Sequence, residues 1–192
     1  MIFSSYEFIF LFLPITFGIY FYLNKKNLIN LAILFLAIAS LFFYSWWNIY
    51  YLPLILISVI TNYCIGQFLI KKVAKKNLLI LGIVFNLSLL GYFKYSDFFI
   101  QNINALLNSN YSFLNLTLPL AISFFTFQQI AYLVYSYKGY VEKQSFIKYL
   151  VFVTFFPQLI AGPIVHHKEM MPQFSNIQNK SLSYQNIYFG IL

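Results

Sequence analysis

Long apolar runs, separated by short polar segments, alternate along most of the chain. The first covers residues 8–23. The second, residues 27–70, carries no formal charge and is about twice the ~20 residues that one membrane-spanning helix needs. Residues 46–53 are rich in the aromatic side chains typical of a membrane interface, which predicts a turn that divides this run into two spans. Further runs follow at 78–93, 116–137 and 149–165. The pattern predicts an all-α, polytopic membrane protein, a multi-helix bundle with about six membrane segments.

The run at 149–165 is interrupted by Pro157 and by Gly162 and Pro163. A proline removes a backbone hydrogen bond from a helix, and irregular backbone at membrane depth persists only where protein buries it or where it lines a cavity. We therefore expect a broken or re-entrant element between Pro157 and Pro163, with a plain kinked span as the alternative. Residues 186–192 resemble the first turns of another apolar helix. Residues 1–192 are thus interpreted as the N-terminal part of a single transmembrane domain, truncated within a further helix.

The composition agrees with a membrane environment. Hydrophobic residues make up 61% of the chain and charged residues only 8%, against ~25% charged in a typical soluble domain. The same figures exclude a disordered chain, and the high aromatic content suits lipid and interface. All twelve basic residues are lysines that lie between the apolar runs, and no arginine is available for bidentate phosphate contacts. The lipid bilayer, and not nucleic acid, is therefore the expected partner.

The lysines also predict an orientation. Residues 24–27 carry two lysines, residues 71–76 carry four and residues 138–148 carry three, whereas the alternate loops at 48–53 and 98–115 carry none. Short cytoplasmic loops are enriched in lysine and arginine. We therefore expect a multi-pass protein of the cell membrane with an extracytoplasmic N-terminus. Lys94 is the exception, and we expect its long side chain to reach the interface near the end of a span.

Polar residues within the fifth run are candidates for function, because polar groups at membrane depth are costly. Ser123, Thr126 and Gln129 share one helix face, while Gln128 points to a different side. They either line a buried passage or join helices through hydrogen bonds. Both interpretations remain open at this point.

No soluble-enzyme motif and no metal-ligand spacing is present, so we expect no metal and no bound cofactor. Cys64 is a lone cysteine in an apolar run and is interpreted as a packing residue. His166 and His167 are adjacent, and neighbouring residues do not face one another, which makes them a poor metal site. Capping of helix carbonyls explains them better than catalysis does.

Two blocks of sequence carry a resemblance to a known family. They are Leu-Pro-Leu-Ala-Ile-Ser-Phe-Phe-Thr-Phe-Gln-Gln at 118–129 and Phe-Phe-Pro-Gln-Leu-Ile-Ala-Gly-Pro-Ile at 155–164, with shorter matches at 3–8 and 92–95. They resemble the membrane-bound O-acyltransferases, in particular the bacterial branch with alginate O-acetylases, peptidoglycan O-acetyltransferases and the D-alanyl transfer protein of teichoic acids. The chain departs from the family where an acidic residue is usual, at Tyr135, and where arginine is usual, at Lys138 and His166.

The resemblance implies a multi-helix funnel in a bacterial plasma membrane. An acyl donor, an acyl-CoA or acyl-carrier thioester, would approach as a substrate from one side, and an extracytoplasmic polysaccharide or a partner acetyltransferase would accept the acyl group on the other. The candidate residues for this passage are Ser123, Thr126, Gln128, Gln129, Pro157, Gln158, Gly162, Pro163 and His166. The catalytic histidine of the family is expected beyond Leu192, so residues 1–192 alone are expected to be inactive.

The expected function is therefore O-acetylation of an extracytoplasmic polysaccharide such as alginate or peptidoglycan. A non-catalytic membrane protein that passes an acyl group to a partner enzyme is one alternative. An inactive truncated gene product is another.

Overall fold

A computed structural model describes residues 3–71, residues 76–161 and isolated positions between 170 and 189. Every regular element in these residues is a helix. Four continuous helical segments are long and apolar enough to cross a membrane: Phe8–Lys25, Ile29–Trp47, Ile49–Ile70 and Lys76–Leu107. This confirms the predicted all-α fold with several membrane-spanning helices. Gly162, Pro163, His166 and His167 lie outside the described residues.

The first three spans follow the predicted pattern. A π-helical turn, Phe8–Phe12, leads into α1 (Leu13–Lys25), and α2 covers Ile29–Trp47. A 3₁₀ turn, Ile49–Tyr51, then precedes α3 (Leu52–Ile70). The break between α2 and α3 falls at Asn48, whose backbone is extended and whose Oδ1 accepts the Tyr50 amide at 3.0 Å. An asparagine that caps the next turn therefore divides the long uncharged run.

The next segment is longer than predicted. Helix α4 (Lys76–Leu90) continues through a π-helical turn, Gly91–Tyr95, into α5 (Ser96–Leu107). The expected loop at 98–115 is therefore wrong in its first half, because an amphipathic helix occupies residues 98–107. Helix α5 ends at Asn108, which adopts the left-handed conformation that asparagine tolerates well. The connection to the next helix is the 108–121 loop.

Helix α6 (Ile122–Tyr137) begins later than the apolar run that starts at residue 116. Pro119 restricts the residue before it to extended backbone, and Ala121 takes a positive φ of 55°. The Ile122 amide donates to the Pro119 carbonyl at 3.3 Å, so a turn precedes the helix. With 16 residues, α6 is shorter than the four long segments.

The predicted broken element is present, with its break at Phe155. Helix α7 (Phe146–Thr154) ends where Phe155 leaves helical geometry at φ −51° and ψ 107°, and α8 (Phe156–Ala161) follows. Pro157 occupies the second position of α8, where a helix does not use the backbone N–H that proline lacks. The break therefore precedes the proline, and the expected irregularity at Gly162 and Pro163 lies outside the described residues.

Two groups of helices share one buried core. Helices α3, α4 and α6 pack against one another, while α2 packs against α1, α7 and α8. The second group contains a cluster of buried phenylalanine rings: Phe8, Phe12, Phe43 and Phe156, with ring centroids 5.0–6.0 Å apart. The first group contains the polar residues that the next section describes.

Candidate functional site

One face of α6 carries a buried polar stripe. Gln129 is fully buried and donates from Nε2 to the Ser58 hydroxyl of α3 at 3.1 Å. One turn earlier, the Thr126 side chain is 1% exposed, and its hydroxyl has no hydrogen-bond partner among the described residues. A buried polar group without a partner is uncommon in proteins and calls for an explanation. The predicted stripe therefore exists, and its middle member is unpaired.

The outer end of the stripe is Ser123, in the first turn of α6. The Lys94 ammonium donates to its hydroxyl at 3.2 Å and lies 5.5 Å from the centroid of the Tyr95 ring. Lys94 belongs to the π-helical turn between α4 and α5, a type of irregularity that often occurs at functional sites. Lys94, the exception to the predicted distribution of lysines, thus lies at one end of the polar stripe.

Gln128 faces a different neighbour, as the helical spacing predicted. Its Nε2 donates to the Phe152 carbonyl of α7 at 2.8 Å, which ties α6 to the broken element. The side chain is 1% exposed, and its Oε1 has no partner among the described residues. Gln128 therefore binds α7 through its amide nitrogen, while its amide oxygen stays available as a buried acceptor.

The α8 candidates lie apart from the α6 stripe. Pro157 is exposed and, with Phe17 and Tyr20 of α1, lines an apolar cavity of about 230 Å³. Gln158 is buried on the same short helix, which packs against α2. The structure thus brings Ser123, Thr126 and Gln129 together and places Pro157 and Gln158 in a separate region.

Sequence reasoning missed a pair of buried amides between α3 and α4. Asn62 donates to Asn86 Oδ1 at 3.1 Å, and Asn86 donates back to Asn62 Oδ1 at 2.6 Å. Each amide also donates to a carbonyl one turn earlier, from Asn62 to Ser58 and from Asn86 to Gly82. The available signal was a single asparagine near the middle of each apolar run. This fully satisfied pair joins helices, which is the structural role of polar groups in membrane bundles.

A group of buried tyrosines lies towards the other end of α6. Tyr132 and Tyr149 have ring centroids 4.4 Å apart, and the Tyr63 ring lies 5.6 Å from that of Tyr149. The Tyr63 hydroxyl donates to the Gln144 carbonyl at 2.9 Å. These contacts fix the loop before α7 against α3 and α6.

A wider cavity of about 700 Å³ lies at the Lys25 end of α1. Aromatic side chains of α1 line it together with Asn24, Lys25 and Lys180. Across the described part of the chain, no three His, Cys, Asp or Glu side chains come together as a metal site would require. The polar groups that line the polar stripe and this cavity are thus amides, hydroxyls and lysines.

Comparison with known proteins identifies relatives of the whole chain. It is 44% identical to a peptidoglycan O-acetyltransferase of Helicobacter pylori, across 100% of the chain and 42% of that protein. It is 38% identical to a probable alginate O-acetylase of Pseudomonas aeruginosa, and 36% identical to that of Azotobacter vinelandii. These two matches cover 92% of the chain and 35% and 36% of the respective relatives.

These relatives confirm the resemblance to bacterial O-acetyltransferases that the sequence predicted. The chain spans about two fifths of the length of the curated relatives it matches. No known family model matches the chain, and no solved structure matches it.

Proposed function

We propose that this chain forms one part of a membrane-embedded O-acyltransferase that acetylates an extracytoplasmic polysaccharide such as alginate or peptidoglycan. The observation that carries the proposal is the similarity, over the whole chain, to O-acetyltransferases named for those two polymers. The Thr126 hydroxyl and Gln128 Oε1 of α6 support it, because both are buried without a hydrogen-bond partner among the described residues and could bind a substrate.

The proposed reaction is transfer from a thioester to a sugar hydroxyl. The hydroxyl oxygen attacks the thioester carbonyl carbon, the carbon–sulfur bond breaks, and the hydroxyl proton passes through a base to the leaving thiolate. The resemblance implies a histidine beyond Leu192 as that base. The contribution proposed for residues 1–192 is therefore to orient substrates and to separate them from water and lipid.

Within this scheme, we assign the passage to the α6 face. The Thr126 hydroxyl would hydrogen-bond to the passing donor or acceptor, while Ser123 and Lys94 would form the outer end. Gln128 lies on a different side of α6, where its Oε1 would contact a substrate next to the broken element. Gln129 bonds to Ser58 and would hold α3 in place. We propose a supporting role for Pro157 and Gln158 of α8, and for Gly162, Pro163 and His166, which follow them in the sequence.

We further propose that the N-terminus is extracytoplasmic and that the protein lies in a bacterial plasma membrane. The acyl-CoA or acyl-carrier thioester would then approach from the side of the lysine-rich loops. The acceptor, either the polysaccharide itself or a partner acetyltransferase, would lie on the side of Lys94. The nine-to-zero distribution of lysines between the two sets of loops supports this orientation.

The test is acetyl transfer by the full-length gene product in proteoliposomes. A labelled acetyl thioester is supplied on one side, and alginate oligomers or peptidoglycan fragments on the other. We expect labelled ester on the polysaccharide. For Thr126→Val, which keeps shape but removes the hydroxyl, we expect about a tenfold lower rate, the loss of one hydrogen bond. Thr126→Ser should restore most of the rate.

A stability measurement separates this role from a structural one. Because the Thr126 hydroxyl has no partner in the described structure, its removal should leave the melting temperature unchanged or raise it. Ser40→Ala, which removes an equally buried and unpaired hydroxyl from α2, is the matched control and should not change the rate. A normal rate for Thr126→Val would remove this face from the passage. Absence of transfer by the wild-type protein to either polymer would overturn the function itself.

A further inference from the structure

Helix α5 extends beyond the length that a membrane requires. Lys76 to Tyr95 already supplies the ~20 helical residues that cross a hydrocarbon core of about 30 Å. The continuous segment nevertheless runs to Leu107. Since α4 starts at Lys76, α5 lies at the opposite membrane surface from the lysines at 71–76.

The side chains of α5 divide into two faces. Asp97, Gln101 and Asn104 share the polar face, whereas the opposite face is exposed and, apart from Asn102, apolar. The Asn102 amide donates to the Phe98 carbonyl of the same helix at 2.7 Å. No residue of α5 is buried. The exposed fractions on the apolar side are 59% for Phe98, 57% for Phe99, 42% for Ile103, 82% for Leu106 and 69% for Leu107.

The polar face is already occupied by the protein itself. Asp97 accepts the backbone amides of Leu114 and Asn115 at 2.7 and 3.1 Å. Asn104 both accepts the Tyr111 amide and donates to the Tyr111 carbonyl, each at 2.9 Å. The 108–121 loop therefore packs along the polar side and fixes which side of the helix faces outwards.

From these observations we infer that α5 lies in the membrane–water interface, with Phe98, Phe99, Ile103 and Leu106 inserted among phospholipid headgroups and upper acyl chains. Two features select lipid as the occupant. The apolar face continues directly from α4, and the segment that contains both helices, Lys76–Leu107, is the least buried of the four long segments. The α5 residues and the 108–121 loop carry one formal charge, Asp97, which is engaged in the loop contacts. An interfacial helix lies along the membrane surface with its apolar face towards the acyl chains. The apolar face of α5 is suited to this position, because no charged side chain interrupts it.

Exposed aromatic side chains also occur in the 108–121 loop and on the π-helical turn before α5. Tyr111 and Phe113 are 62% and 49% exposed, and Tyr92 and Tyr95 on the π-helical turn are 54% and 42% exposed. Tyrosine favours this depth because its ring is apolar and its hydroxyl reaches water. The α5 helix and its loop would thus anchor the mouth of the polar stripe, at Lys94 and Ser123, to the membrane surface.

The test uses a single cysteine at one of three α5 positions in the full chain, with Cys64→Ser as background. Ile103→Cys and Leu106→Cys report on the apolar face, and Gln101→Cys on the polar face is the matched control. Each is labelled with an environment-sensitive fluorophore after reconstitution into phosphatidylcholine–phosphatidylglycerol vesicles. Fluorescence is then quenched in separate samples by lipids that carry a spin label at a shallow acyl position, by lipids that carry it at a deep acyl position, and by iodide dissolved in the water.

We expect blue-shifted emission at 103 and 106, quenched at least twofold more by shallow than by deep spin labels. The label at 101 should be quenched mainly by iodide. Stronger quenching by the deep label at 103 and 106 would mean that α5 crosses the hydrocarbon core. Blue-shifted emission insensitive to both lipid labels would mean that protein covers this face. Either result overturns the inference and leaves the proposed acyltransferase function untouched.

Discussion

Gly66 of α3 shows how closely two helices approach in this bundle. A Cβ placed on Gly66 would lie 2.6 Å from the hydroxyl oxygen of Tyr132 and 2.7 Å from its Cζ, distances that real contacts do not show. Tyr132 is fully buried and packs against Tyr149 with the two rings tilted by 42°, so its ring cannot move aside cheaply. The glycine is thus required by packing, as small residues are at close helix crossings in membranes.

Gly66→Ala should therefore destabilise the protein by about 1–3 kcal/mol, the usual cost of overpacking a core. Gly82→Ala is the matched control. There, the closest atom to a new Cβ is Leu133 Cδ1 at 2.6 Å, at the end of a flexible side chain that can rotate. Thermal unfolding in detergent should show a clear loss for Gly66→Ala and a smaller one for Gly82→Ala. Equal melting temperatures for the two variants would contradict the rigid contact with Tyr132.

The contacts of single residues were the feature that the sequence predicted least well. The stripe on α6 could be predicted, because helical spacing alone places Ser123, Thr126 and Gln129 on one face. The partners of these residues could not be predicted, because Ser58 and Lys94 belong to other helical segments. The periodicity within one helix carries no information on which residues of another helix it contacts. The Asn62–Asn86 pair was missed for the same reason. The functional roles of Ser123, Thr126, Gln128 and Gln129 remain predictions.

At the scale of elements, the length of the uncharged runs predicted the membrane spans well. Clusters of polar residues were a poor guide to where the loops begin and end. The division at Asn48 follows from turn chemistry and is present, whereas the break between α7 and α8 falls at Phe155, two residues before the proline that predicted it. The asparagine-rich residues 101–108 were interpreted as loop, yet all but the last are helical, because Asn104 turns its side chain onto the following loop instead of interrupting its own helix. Element boundaries set by such long-range contacts are not readable from composition.

The 108–121 loop depends on Asp97, whose carboxylate accepts two backbone amides. We expect Asp97→Ala to release the loop and to speed amide hydrogen exchange at Leu114 and Asn115 by about tenfold or more, since charge-assisted hydrogen bonds are lost. Asp97→Asn keeps one acceptor oxygen and should give a smaller change. Gln101→Ala, an exposed position on the same helix, is the control. Unchanged exchange in Asp97→Ala would show that apolar contacts, and not this carboxylate, hold the loop.

At the scale of the whole molecule, the positions of the lysines have to agree with the order in which the helices cross the membrane. Four long apolar segments, the shorter α6 and the α7–α8 element follow one another, and lysines mark every second connection between them. Hydrogen bonds from its backbone amide and from the Ser5 hydroxyl hold the pKa of Glu7 below its usual value. This carboxylate therefore stays ionised just before the first span and marks the membrane boundary there. The orientation across the membrane rests on the lysines alone, so it needs its own test.

We predict that Lys71 and Asn110 lie on opposite sides of the membrane. Both positions are exposed, and they flank the continuous segment from Lys76 to Leu107. With Cys64→Ser as background, Asn110→Cys in intact cells should react with a charged, membrane-impermeant maleimide, while Lys71→Cys should react only after permeabilisation. The protein that keeps native Cys64 and carries neither substitution is a separate control, because Cys64 lies exposed within the α3 segment and lipid should shield it from a charged reagent on either side. Labelling of Lys71→Cys from outside, with Asn110→Cys protected, would invert the orientation. It would also move the Lys94 end of the polar stripe to the cytoplasmic surface, where a thioester rather than a polysaccharide would meet it first.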